Sequence, residues 1–170
     1  MGHGSSQHSD GPEANHSEAQ TLAGTTDKMP DKMPTEVSPA TRRTMQANRG
    51  RDTRPELALR SDLHTRGLRF RVNQPLPFDR RRRADLTFTR AGLYVFVDGC
   101  FWHGCPEHFV EPKTRRDFWL AKICGNRARD AETQTRLEGL GATVIRIWEH
   151  DDPKAAADVV EAAYRAILAR

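Results

Sequence analysis

Leu93-Tyr94-Val95-Phe96-Val97 is an unbroken apolar run that ends in Asp98-Gly99 and opens into Cys100-Phe101-Trp102-His103-Gly104-Cys105-Pro106-Glu107-His108. A short apolar run closed by an Asp-Gly pair reads as a buried strand leading into a loop. Thiols, imidazoles and large aromatic rings crowd the first nine residues beyond that strand, so chemistry is concentrated at its carboxyl end. Working backwards, Leu68–Val72 and a run near Arg83–Phe88 also have β character, with Pro- and Gly-containing turns between the runs. Arg51-Asp52-Thr53-Arg54-Pro55-Glu56 is a capped helix start with proline at an early helical position, and Leu57, Leu59 and Leu63 continue that helix to about Gly67. Thr41 to Asn48 is a further short helix. Working forwards, Lys113 to about Leu140 reads as helix in two pieces, Thr143–Trp148 as a buried strand and Ala155–Leu168 as an amphipathic helix. The order α, three β, α, β, α predicts an α/β fold.

The 170 residues suit one domain with a real core. Residues 1–40 hold six Asp/Glu against two Lys, so the formal +4 of the whole chain divides into −4 there and +8 over 41–170. Those first forty residues carry almost no large apolar side chains, and the expectation is a disordered acidic tail ahead of a basic domain over 41–170. Clustered positive charge suits polyanions, although many basic proteins bind no nucleic acid. No apolar run approaches the roughly 20 residues that span a bilayer, and no secretory signal plan is present, so a cytoplasmic protein without a membrane partner is expected. Reduced cysteines in that compartment point to metal ligation or burial, not to disulfides.

Cys100, Cys105 and His108 lie within nine residues, and His150, just past the last strand, can complete a closed Cys2His2 zinc site from across the fold. The competing reading makes both cysteines core thiols and both histidines surface residues. Cys124 could displace His150 as the fourth ligand, and is otherwise read as a small buried apolar group on a helix. A second constellation pairs Asp85, at the end of the basic run Arg80-Arg81-Arg82-Arg83, with Asp98 or the Val97 backbone on the neighbouring strand. Mg²⁺ prefers such oxygen ligands, and Glu56 can approach from the preceding helix. Each carboxylate taken singly is as well explained by a salt bridge, and the arginines by a solvated face; Arg82 is the expected phosphate contact. Phe101, Trp102 and Trp119, set among cations, suit stacking on bases, with core packing as the alternative.

Arg51-Asp52-Thr53, Ala84-Asp85, Gly99-Cys100-Phe101-Trp102-His103, Phe118-Trp119-Leu120-Ala121-Lys122-Ile123, Asn126 with Arg129-Asp130, and Ile147-Trp148-Glu149 occur in the order and at the spacing of the very short patch repair endonucleases. The chain resembles that family over about residues 41–152. The resemblance implies a restriction-endonuclease-like core: a central mixed β-sheet flanked by helices, with a structural zinc site. It implies Mg²⁺-dependent nicking of one strand beside a T·G mismatch, in repair of deaminated 5-methylcytosine. It places Mg²⁺ on Asp85 and the Val97 main-chain oxygen, the catalytic histidine at His103, its acidic partner at Asp130, and Glu56 near the metal water, with Asn126 supporting the arrangement. It puts zinc on Cys100, Cys105, His108 and His150, where relatives carry a longer histidine run and a cysteine in place of His150. Asp98 stands where some relatives have histidine, and Val97 where they have threonine. Phe101, Trp102 and Trp119 correspond to residues that wedge into DNA from the major groove, and Met45 to one inserted from the minor groove. A monomer associated with the nucleoid and functionally linked to a cytosine-5 DNA methyltransferase is the implied setting. Two rivals remain: a restriction-type nuclease of the same fold with another target, and a zinc-stabilised DNA-binding module without catalysis.

Overall fold

In a computed structural model of the chain the described residues are Met1 and residues 51–170. The tail expected over 1–40 (apart from Met1), the short helix over 41–48 and Met45 lie outside them.

Helix α1 (Arg54–Thr65) begins where the sequence pattern puts it. Thr53 is the extended N-cap residue, and Glu56 satisfies the start of the helix by accepting from the Thr53 hydroxyl at 2.9 Å and the Asp52 N–H at 3.0 Å. The helix ends at Gly67, whose φ of 79° is left-handed and lets the Leu68 N–H return to the Leu63 carbonyl at 3.1 Å. Strands β1 (Arg71–Leu76) and β2 (Asp79–Phe88) form an antiparallel hairpin, and β3 (Leu93–Asp98) pairs antiparallel with β2. A one-turn helix α2 (Cys100–His103) and a long helix α3 (Arg116–Gly139) cross to β4 (Thr143–Trp148), which lies parallel to β3; α4 (Pro153–Leu168) closes the chain. The result is a mixed four-stranded sheet in the order β1-β2-β3-β4, flanked by helices. Among the described residues no helix is long and apolar enough to cross a membrane.

Two details depart from the sequence reading. The first strand starts at Arg71 instead of Leu68 and runs through Pro75, which a sheet edge tolerates because no ladder bond needs the missing N–H. The expected two-piece helix is continuous: Gly125 sits in its middle, where glycine weakens a helix by only about 1 kcal/mol relative to alanine and does not break it.

The sheet is covered on both faces. Leu59 and Leu63 of α1 and Ala156, Ala157 and Val160 of α4 pack on Leu86, Phe88, Leu93, Val95 and Ile147. On the other face Leu137 of α3 packs with Leu76, Ala84 and Phe96. Arg66 ties α1 to α4 from the rim, donating to Asp62, Asp158, Glu161 and the Lys154 carbonyl. Leu63 is fully buried whereas Val159 is 56% exposed. Leu63→Ala is therefore expected to cost about 2–5 kcal/mol in denaturant unfolding, with Val159→Ala within about 0.5 kcal/mol of wild type.

Candidate active site

The β2–β3 ladder pairs Leu86 with Val95, Thr87 with Tyr94 and Phe88 with Leu93, and stops short of Asp85. Where the strands part, the Asp85 carboxylate replaces the ladder and accepts from the Val97 N–H at 2.8 Å. Burial pushes the Asp85 pKa up to about 6 despite that bond and Arg60, and the nearby charges of Glu56 and Asp98 add to the rise. Glu56 is 5% exposed and accepts from the Arg60 guanidinium at 2.6 Å. A half-buried carboxylate that resists ionisation, with further carboxylates close by, is a donor set that a hard divalent cation would relieve. The residues expected to hold Mg²⁺, Asp85 and Val97, thus sit together and fit it. Asp98, the other expected partner of Asp85, is instead engaged by Arg146.

His103 ends α2, and Gly104 follows it with a φ of 63° in a place where a Cβ would lie 3.1 Å from the Ile123 side chain. Glycine suits that turn, because any other residue would strain the left-handed backbone and press on the Ile123 side chain. His103 Nδ1 lies 2.6 Å from Asp130 Oδ2 on α3 and 3.7 Å from Asp98 Oδ1. Burial lowers the His103 pKa, but the Asp130 bond and the two carboxylate charges outweigh it and hold the imidazole above its ordinary value. Asp130 moves the opposite way: burial raises it, whereas His103 and Arg146 hold it below the usual carboxylate range. Asn126, one helical turn earlier on α3, donates to the Trp102 carbonyl at 2.9 Å and so fixes the backbone before His103.

Cys100, Cys105, His108 and His150 converge as expected, with one ligand atom from each lying within 4.8 Å of the others. The Cys100 Sγ lies 3.1 Å from His150 Nδ1, and Cys105 Sγ lies 3.8 Å from both His108 Nδ1 and His150 Nδ1. Tetrahedral zinc separates sulfur and nitrogen ligands by roughly 3.5 Å, which these spacings straddle. Burial raises the Cys105 thiol, but the backbone N–H groups of Glu107 and His108 outweigh it and leave its pKa below normal, whereas burial and the neighbouring Cys105 push the Cys100 thiol up to about 12, so that Cys105 is the readier thiolate of the two. Cys124 is exposed, contrary to the expectation of burial; it lies on the outer side of α3.

Glu56, Asp85, His103, Asn126 and Asp130 line a cleft of about 1360 Å³ together with Arg81, Arg82, Arg83, Phe101, Trp102 and Arg146 among others; the four Cys and His side chains lie outside its lining. Arg82 lines it with its guanidinium already bonded to Thr133 and Glu132 and 3.3 Å from Asp79. Phe101 and Trp102 are half-buried at the cleft, their rings 5.3 Å apart edge to face. Trp119 does not line it; at 8% exposure it packs beneath Phe101, Trp102 and Phe118. Two cleft residues had no role assigned from the sequence. Glu149 accepts from the Cys100 N–H at 2.6 Å and so braces the loop that carries Cys100 and Cys105. Arg146 clamps Asp98, and its signal was a lone cation inside an otherwise apolar strand.

A family model described as DNA mismatch endonuclease Vsr matches residues 36–108. The type II nicking enzyme V.NaeI of Lentzea aerocolonigenes is 41% identical over 112 residues, covering 65% of this chain and 68% of that protein. The type II nicking enzyme V.XorIIP of Xanthomonas oryzae is 42% identical over 115 residues, covering 66% and 82% respectively. The DNA mismatch endonuclease Vsr of Escherichia coli is 41% identical over 109 residues, covering 63% and 67%. An imidazole paired with a carboxylate, a buried carboxylate fit for a cation and an arginine-lined cleft are the parts a phosphodiester-cleaving enzyme needs, and with these relatives the chain belongs to the DNA mismatch endonuclease Vsr family.

Proposed function

We propose that this chain is a Mg²⁺-dependent endonuclease that nicks one DNA strand beside a T·G mismatch, as in repair of deaminated 5-methylcytosine, and that it acts as a monomer in concert with a cytosine-5 methyltransferase. The observation that carries the chemistry is the His103–Asp130 pair, 2.6 Å apart, in a cleft that Asp85 and several arginines also line. Asp130 holds the Nδ1 proton of His103, leaving Nε2 to give or take a proton at the scissile phosphodiester. Asp85 and the Val97 carbonyl would hold Mg²⁺, which supplies Lewis-acid polarisation of the phosphate. Glu56, held by Arg60 and the start of α1, orients water at the opposite wall, and Asn126 keeps the Trp102 carbonyl, and with it His103, in place. Arg81 and Arg83 flank the DNA backbone, and Arg82 reaches a phosphate by exchanging one of its carboxylate partners.

Recognition falls to Phe101 and Trp102 at the cleft, with Trp119 supporting them from below and Met45 entering from the other groove. Unstacking a base step costs on the order of a few kcal/mol, and a mispair reduces that cost, so a wedge favours mismatched duplex. The relatives described as type II nicking enzymes carry a second reading, a restriction-type nuclease of the same fold with a target other than the T·G mismatch. Nicking of duplexes that differ in a single T·G pair, with and without Mg²⁺, decides between them. The first reading expects the mismatched duplex alone to be cut, and only with the metal. In the same assay Asp85→Ala and His103→Ala are expected to lose about 10²–10⁴-fold in rate, with binding within a few-fold of wild type. Near wild-type cutting by Asp85→Ala would remove the metal assignment.

The pH dependence carries a sign. His103 is held above its ordinary value by Asp130 against burial, which lowers it. Asp130→Asn removes the Asp130 share of the rise and leaves burial opposed by the Asp98 charge alone, so the limb of the pH–rate profile governed by His103 is expected to move to lower pH. A limb that stays in place or moves upward would separate Asp130 from the proton.

The Cys100, Cys105, His108 and His150 cluster is proposed to hold structural zinc. Elemental analysis is expected to find about one zinc per chain, and chelation to lower the melting temperature by more than about 10 °C. Protein without stoichiometric zinc whose melting ignores chelators would return these residues to buried thiols and surface imidazoles.

A further inference from the structure

Three groups at the centre of the cleft, Asp98, His103 and Asp130, offer ligand atoms within 4.8 Å of one another, the spacing of a cation site. A cation already stands there. Arg146, from β4, donates through Nε to Asp98 Oδ2 and through Nη2 to Asp98 Oδ1, both at 2.6 Å, and the same Nη2 lies 3.2 Å from Asp130 Oδ1. Its guanidinium lies 5.2 Å from the centre of the Phe96 ring, the residue opposite it in the parallel register, so the side chain is held along its length as well as at its tip. Asp98 is 6% exposed, and the two planar bonds to it are the bidentate kind that fixes a carboxylate's orientation.

The competition around His103 gives this clamp a consequence for the reaction. Two carboxylates face the same ring nitrogen: Asp130 Oδ2 at 2.6 Å and Asp98 Oδ1 at 3.7 Å. Both are anionic acceptors for one Nδ1 proton, and a ring that swings between them points Nε2 in two directions. Arg146 saturates both oxygens of Asp98 and leaves Asp130 Oδ2 as the free acceptor. We infer that Arg146 is a positioning residue that selects Asp130 over Asp98 as the partner of His103, and so fixes where Nε2 points. The inference rests on the proposed role of His103 and goes beyond it, because it assigns the choice of partner to a side chain on another strand.

The test uses the full zinc-loaded chain and single-turnover nicking of whichever of the matched and T·G duplexes the wild type cuts, well below each variant's melting temperature. Arg146→Met is expected to slow nicking by about thirtyfold or more, with the DNA dissociation constant within about threefold, because misorientation costs rate and not binding. Asp98→Asn placed in the Arg146→Met background is expected to recover about tenfold of that loss, since the competing charge is gone. Arg146→Lys, a point charge that cannot make the planar pair, is expected to fall between wild type and Arg146→Met. If Arg146→Met does not fold, Arg146→Lys and its Asp98→Asn double variant are compared in its place. Nicking by Arg146→Met within threefold of wild type would overturn the inference, as would a loss carried by the dissociation constant, which marks a phosphate contact, or a double variant no faster than the single. His103→Ala run alongside keeps the two ideas apart: if it nicks normally the proposed role of His103 fails, whereas if it is inactive while Arg146→Met is not, only the positioning role fails.

Discussion

The parallel pairing of β3 with β4 is the constraint on which the site depends. Its register runs without slip from Leu93 opposite Thr143 to Asp98 opposite Trp148, so both strands end at the same level. The segments leaving the two strands therefore meet, the Cys100 loop beyond β3 touching Glu149-His150 beyond β4. The same register places Arg146 two positions behind Asp98, a distance that a guanidinium on its long stem can span. A shift of one residue would turn Arg146 to the other face of the sheet and remove both the clamp and His150 from their partners. The apolar side chains that hold the register, Leu93, Val95 and Ile147, therefore govern chemistry they never touch.

Charge in the cleft is divided between two carboxylate groups with opposite demands. Asp98 and Asp130 are neutralised within the protein by Arg146 and His103, and Asp130 accordingly ionises more readily than a free carboxylate. Among the described residues no cation bonds Asp85 directly. The single N–H it receives and the more distant Arg60 do not offset its burial, and its pKa rises to about 6. One half of the cleft is thus electrostatically complete, and the other is left with unmet negative charge. That asymmetry suits an added cation at the β2–β3 fork better than one beside His103.

Much of this was legible in the residues, and the losses have physical causes. Element type and order followed from periodicity and caps: the Thr53–Glu56 start, the apolar run of β3 and the amphipathic α4 are local signals. The convergence of the four Cys and His side chains was legible because three of them are close in sequence and the fourth follows a strand. The start of β1 was misplaced because Leu68 is a core residue ahead of the strand, so apolar character overstated where pairing begins. The engagement of Asp98 and Arg82 was hidden, because which cation meets which carboxylate depends on register across the fold. Trp119 belongs beneath the other rings for a similar reason: sequence gives the presence of an aromatic side chain, and depth is a tertiary property.

The unbroken course of α3 has a mechanical meaning. Along one stripe of this 24-residue rod, about 36 Å long, lie Trp119 under the aromatic group, Ile123 against Gly104, Asn126 at the Trp102 carbonyl, Asp130 at His103, Thr133 at Arg82 and Leu137 in the core. Steps of three and four residues keep all six on one face. The rod therefore works as a camshaft whose lobes share a single angular setting. Inserting or deleting one residue between Ile123 and Leu137 would rotate everything on one side by about 100° against the other, so the helix can vary in composition along its outer face but not in length.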